Sequence, residues 1–271
     1  MNSLNNIWFV YPGQPYIGES IINLLLAFNN EPREDGNCSI LEREHSQLSI
    51  ALSMIALESI VKVKLDQIDE YEPSKIGELF TLTVDKNTSD TLAIDLWTEL
   101  KILRNQIIHS AYFTTSSTGG HISKATRRKL ESPYYRKFLD IDNERTINWS
   151  LKINPLSVTR YEALVCFLFF YWYGRKTGVW KINLPLHPVY VDSRIKYNIK
   201  NNWIDNGTYN HLIGSSNNSD FIKLIAFLSS RLPKKIQQNL YNLSKKYLNI
   251  DLKAEIDFTN TVLKMYKNIE P

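Results

Sequence analysis

Leu100-Lys101-Ile102-Leu103-Arg104-Asn105-Gln106-Ile107-Ile108-His109 sets an arginine, an amide and a histidine on one and a half turns of an apolar-backed helix. At about 100° per residue, Leu96, Leu100, Leu103, Ile107 and Ala111 share an arc of roughly 80°. That arc is the expected core face. Arg104, Lys101, Tyr112, Asn105 and His109 share a neighbouring arc of roughly 140°. Asn105 and His109 are spaced i,i+4, so their side chains can meet. Arg104 does not stack on His109, but its length lets it bend towards a group that His109 also reaches. A fixed cation beside a titratable imidazole suits work on a phosphodiester. The imidazole exchanges a proton near neutral pH, and the guanidinium grips phosphate oxygens with two hydrogen bonds.

Two apolar segments flank this helix. Residues 42–66 read as a long helix whose middle is apolar nearly all round, which predicts the central helix of a bundle. Residues 157–173 read as another, opened by Pro155 and Ser157 and closed by Gly174. In this setting the chain resembles the HEPN superfamily, helical bundles with an Arg-polar-x-x-x-His signature on the third helix. Here Arg104, Asn105 and His109 carry the match. Ser53-Met54-Ile55-Ala56-Leu57-Glu58-Ser59-Ile60-Val61 looks like the second helix of such domains, an apolar run with one embedded acid. The resemblance covers roughly residues 17–175.

The resemblance implies a metal-independent endoribonuclease, cytoplasmic, serving as a toxin or phage-defence effector under an antitoxin or regulatory partner. His109 would deprotonate the 2′-OH of RNA or protonate the leaving 5′-oxygen. Arg104 would neutralise charge on the phosphorane. Asn105 would orient the imidazole or hold the RNA backbone. One motif supplies one imidazole, so a homodimer is implied. Lys101 and Tyr112 are accessory candidates on the same arc. A carboxylate buried in an apolar helix needs a partner. Glu58 therefore has two readings: a bidentate pair that orients Arg104, or a solvent-facing pair with Lys62.

The stretch Lys124-Ala125-Thr126-Arg127-Arg128-Lys129, followed by Tyr134 and Tyr135, has two readings as well. Arg127, Arg128 and Lys129 can grip RNA phosphates while tyrosines stack bases. Such a run is more usually an ordinary solvated face. His45, His121, His187 and His211 have no acidic or Cys neighbours at metal-ligand spacing, so no metal and no other cofactor is expected. Phosphate-cradling glycine loops and the Gly-x-Ser-x-Gly elbow are absent.

Length and composition set the bounds. The 271 residues suffice for a sizeable core, and 43% apolar with 22% charged residues is ordinary for a globular chain. Cys38 and Cys166 are too few for a disulfide framework and fit a reducing compartment. No basic-then-apolar leader opens the sequence. The longest apolar run, 163–173, is short of the roughly 20 residues a bilayer span needs, so no membrane partner is expected. The net charge of +4 permits an anionic partner without demanding one.

The expected fold is mainly α: a HEPN-like bundle over 1–175 with an insertion at 114–156, then a mixed loop and helical extension over 176–271. Further helices are expected at 17–29, from Ser74 through Leu82, at 90–113 with Asp90 as N-cap, and at 220–231, 233–248 and 252–268. Pro233 is expected at the first helical position. Residues 188–191 read as a β-like piece.

Overall fold

The computed structural model describes residues 14–30, 38–66, 88–108, 130–176, 218–254 and 257. These are mainly helical. α1 spans Gln14–Asn29, α2 Ile40–Asp66, α3 Thr88–Ile108, α4 Pro133–Arg136, α5 Arg160–Lys176, α6 Asn218–Ser230 and α7 Lys234–Leu248. A two-stranded antiparallel hairpin lies between α4 and α5, β1 at Leu139–Asp140 and β2 at Arg145–Thr146, with Leu139 opposite Thr146. The expected helix from Ser74 to Leu82 and the piece at 188–191 lie outside the described residues.

Small side chains draw α1 and α2 together. Ser20 Oγ donates to the Ser49 carbonyl at 2.9 Å and meets Ser49 Oγ and Ser53 Oγ, all three serines being buried. Three residues on, Asn23 meets His45 at 2.9 Å. Asn23 Nδ2 donates to the Glu19 carbonyl, so its Oδ1 accepts from His45 Nδ1. Burial holds the His45 imidazole below its usual pKa. Later α1 residues pair with earlier α2 residues, so the two helices are antiparallel.

The helix enclosed on all sides is α5, not α2 as the sequence suggests. Every residue from Tyr161 to Tyr173 is buried, and α1, α2, α3, α6 and α7 all pack on it. α2 instead leaves Ile40, Leu41 and Leu48 exposed. Phe167, Phe169, Phe170 and Tyr173 are fully buried and each contributes about 1.5–3 kcal/mol of burial. The start of α5 also differs from the expectation. Pro155–Ser157 form a separate 3-10 turn, and Gly174 lies inside the helix rather than beyond it. Thr159 and Glu162 form the start instead: Glu162 Oε2 accepts from the Thr159 amide at 2.8 Å and from its hydroxyl. That is the Thr-x-x-Glu capping pattern. At α7, Pro233 occupies the N-cap, one position earlier than expected. Asp90 lies in the first turn of α3 rather than capping it.

The second half of the expected insertion belongs to the core. Trp149 and Leu151 are fully buried in the main cluster, while Leu130, Leu139 and Ile153 form a second cluster with Ile102 of α3. Trp149 packs on Tyr247 of α7 with ring centres 5.6 Å apart. No helix among the described residues is long and apolar enough to cross a membrane.

Candidate functional site

α3 is buried over more of its circumference than the apolar stripe predicts. Leu96, Leu100 and Leu103 are fully buried and Ile107 packs against the same core. Trp97, Glu99, Ile102 and Gln106 are buried as well, which widens the covered arc to about 220°. The stretch 130–153 covers the side that carries Ile102, and the helix core covers the side that carries Trp97. Among the described residues of α3, Lys101, Asn105 and Ile108 share the remaining strip, the first two half-buried and Ile108 exposed.

Arg104 lies at the edge of that strip, its side chain 19% exposed. Its Nη2 donates to Glu58 Oε2 at 2.7 Å, and its Nη1 donates to Asn105 Oδ1 at 2.8 Å. The pair with Glu58 thus holds through one oxygen rather than two, because Asn105 takes the other nitrogen. Glu58 is itself 18% exposed, so the pair is shielded from water on most sides. Of the two readings of Glu58, the geometry places the carboxylate on Arg104. A guanidinium carries five N–H donors. Arg104 Nε is buried with no hydrogen-bond partner among the described residues.

Asn105 is half-buried and its oxygen is engaged by Arg104. Lys101 is half-buried on the same strip. His109 and Tyr112 lie outside the described residues, as do Arg127, Arg128 and Lys129. The two tyrosines after the basic run part company. Tyr134 is 61% exposed, whereas Tyr135 is half-buried against the Ile102 cluster. Their rings meet edge to face at 5.1 Å.

Sequence reasoning passed over Glu99. It is fully buried, and its Oε1 accepts from the Asn148 amide at 2.8 Å and from Asn148 Nδ2 at 2.9 Å. Its Oε2 accepts from the Trp149 amide at 3.2 Å. Burial raises the carboxyl above its ordinary pKa against the pull of these donors. A signal was there: Glu99 falls about 40° from Leu103 on the helix wheel, just beyond the apolar arc, where a covered acid must find donors. Its work is structural, seating the hairpin on the helix that carries Arg104. Among the described residues, no three His, Cys, Asp or Glu side chains come together as a metal site.

Compared with protein-family models, curated proteins and solved structures, the chain matches none.

Proposed function

We propose that this chain is a metal-independent endoribonuclease of the HEPN type, working as a homodimer. The observation that carries the reading is Arg104, a guanidinium steered by Glu58 and Asn105 on the helix that leads five residues later to His109. An arginine held by two side chains is preorganised, so less entropy is lost when it meets a phosphate. In the proposed reaction the 2′-oxygen of RNA attacks phosphorus and the bond to the 5′-oxygen breaks. The imidazole of one protomer takes the 2′-OH proton, and His109 of the partner subunit gives a proton to the 5′-oxygen. The product is a 2′,3′-cyclic phosphate. Arg104 offsets the charge that builds on the phosphorane. A role as toxin or phage-defence effector under an antitoxin or regulatory partner follows from the resemblance alone.

A second reading is favoured by the same ion pair. A guanidinium already neutralised by Glu58 has less charge to offer a phosphate, which suits a non-catalytic HEPN-like module binding nucleotide, RNA or a protein partner. Incubation with RNA in EDTA separates the two. Wild type should cut and leave cyclic-phosphate ends, while Arg104→Ala and His109→Ala should be inactive yet folded. RNA bound and left intact by wild type favours the module.

A further inference from the structure

Arg104 fixes which way the Asn105 amide is turned. A guanidinium has donors and no acceptor. The 2.8 Å bond from Arg104 Nη1 therefore sets the side-chain flip, with Oδ1 on the guanidinium and Nδ2 on the other arm of the planar amide. Asn23 and Asn30 spend Nδ2 on the carbonyl four residues earlier, at 2.8 and 2.6 Å. Asn105 does not. Its Nδ2 has no hydrogen-bond partner among the described residues, and the side chain is half-buried rather than sealed in the core. One end of the amide is thus committed to steering Arg104, and two N–H donors are left on the other.

Those donors decide what Asn105 can do for the proposed reaction. A histidine acting as base needs one nitrogen lone pair free and an acceptor for its other N–H. A histidine acting as acid is an imidazolium, a donor at both nitrogens. An amide that presents N–H groups opposes both states. A phosphate oxygen is an acceptor and suits an N–H donor beside a guanidinium. Lys101 stands one turn earlier on the same strip, about 6 Å back along the helix axis. It has no carboxylate partner among the described residues, while Glu58 is spent on Arg104. Lys101, Arg104 and Asn105 share about 100° of the circumference of α3, and each has donors to offer an anion.

We propose that Asn105 binds the scissile phosphate of RNA through Nδ2 rather than orienting His109, and that Lys101 takes a neighbouring phosphate, so that the RNA backbone lies along the α3 strip. The identity of the substrate rests on the nuclease reading. The division of labour within Asn105 rests on the direction of its bond to Arg104.

The experiment turns on Asn105→Asp in the full chain. The carboxylate keeps an oxygen for Arg104 but sets an anion where Nδ2 would meet the phosphate. Binding is read by fluorescence anisotropy of a labelled single-stranded RNA carrying 2′-O-methyl groups, which has no 2′-OH to attack phosphorus. Asn105→Asp should weaken binding about tenfold or more, and with unmodified RNA it should raise KM. Asn105→Ala, which removes the donor without adding a charge, should weaken binding less than Asn105→Asp. Lys101→Ala should weaken binding and lower the log–log salt slope by about one. The proposal is overturned if wild type does not bind the 2′-O-methyl RNA saturably, if Asn105→Asp binds it as tightly as wild type, or if Lys101→Ala keeps the full salt slope. Unchanged affinity in Asn105→Asp with the acid limb of the pH–rate profile moved to higher pH would put Asn105 on His109 instead. Failure of the nuclease reading looks different: wild type leaves unmodified RNA intact in EDTA, while Asn105→Asp still binds the 2′-O-methyl RNA less tightly than wild type.

Discussion

Arg104 and Glu58 meet at 2.7 Å across 46 positions of sequence and tie α3 to α2. The pair is mostly shielded, so its loss is felt more than that of a surface pair. Glu58→Ala should destabilise the protein by about 1–2 kcal/mol, as it leaves the guanidinium without its carboxylate. Arg104→Met should cost less than the sum of lost packing and lost charge, and the double variant should recover part of the loss. A urea-unfolding cycle over the four proteins reads the coupling. A coupling near zero would mean that Glu58 does not hold Arg104 in solution.

Glu99 gives the sharper stability prediction. Glu99→Ala strands the Asn148 amide, the Asn148 side-chain amide and the Trp149 amide in a buried site. The expected cost is about 3 kcal/mol, near that of breaking a buried charged network. Glu99→Gln keeps one acceptor oxygen and should cost less. Because Trp149 packs on Tyr247, native tryptophan fluorescence should shift in Glu99→Ala even below the unfolding transition. Unchanged stability would show that the hairpin is seated by Trp149, Leu151 and Ile153 alone.

The helical class follows from periodicity, since apolar spacing dictates which elements can share a core, and α1, α2 and α7 lie within three residues of the bounds it predicts. Arg104 on the edge of the α3 stripe follows from the same spacing. Periodicity does not tell which of two apolar helices lies at the centre. α2 reads as apolar nearly all round through its middle, yet its Leu48 faces out. Nor does it tell what covers the far side of α3. Ile102 and Glu99 are covered by residues 130–153, whose charged and aromatic sequence reads as a loop. A cavity at Glu42 joins residues at 42, 160 and 235, at least 75 positions apart, and no local pattern connects them.

Glu42 makes stability depend on pH in a set direction. Burial raises its carboxyl pKa above the unfolded value, against the hydrogen bond and charge of Arg160. The folded state then holds the proton more tightly than the unfolded state, so this contribution is full below about pH 4.3 and is lost as pH rises through the folded value. Glu42→Gln keeps the neutral form at every pH. The stability of wild type relative to Glu42→Gln should therefore fall as pH rises from about 4 and level off above the folded pKa. Denaturation of both proteins across that range checks the sign. A relative stability that rises with pH would mean that Arg160 outweighs burial.

The last prediction concerns assembly. One Arg104-Asn105-x-x-x-His109 motif per chain supplies one imidazole, whereas transfer of the 2′-OH proton and protonation of the 5′-oxygen in one cleft need two. The active species should sediment as a dimer, and activity per chain should fall on dilution below the dimer dissociation constant. Mixed dimers with His109→Ala on one chain should lose most of their activity, since one of the two proton transfers then falls to water. Equal mixing of wild type and variant chains gives half mixed dimers and a quarter wild-type dimers, so retained activity should approach about a quarter of wild type. Retention of about half would mean that each chain cuts alone, and a monomer that cuts at full rate would replace the paired-histidine scheme with one of histidine and water.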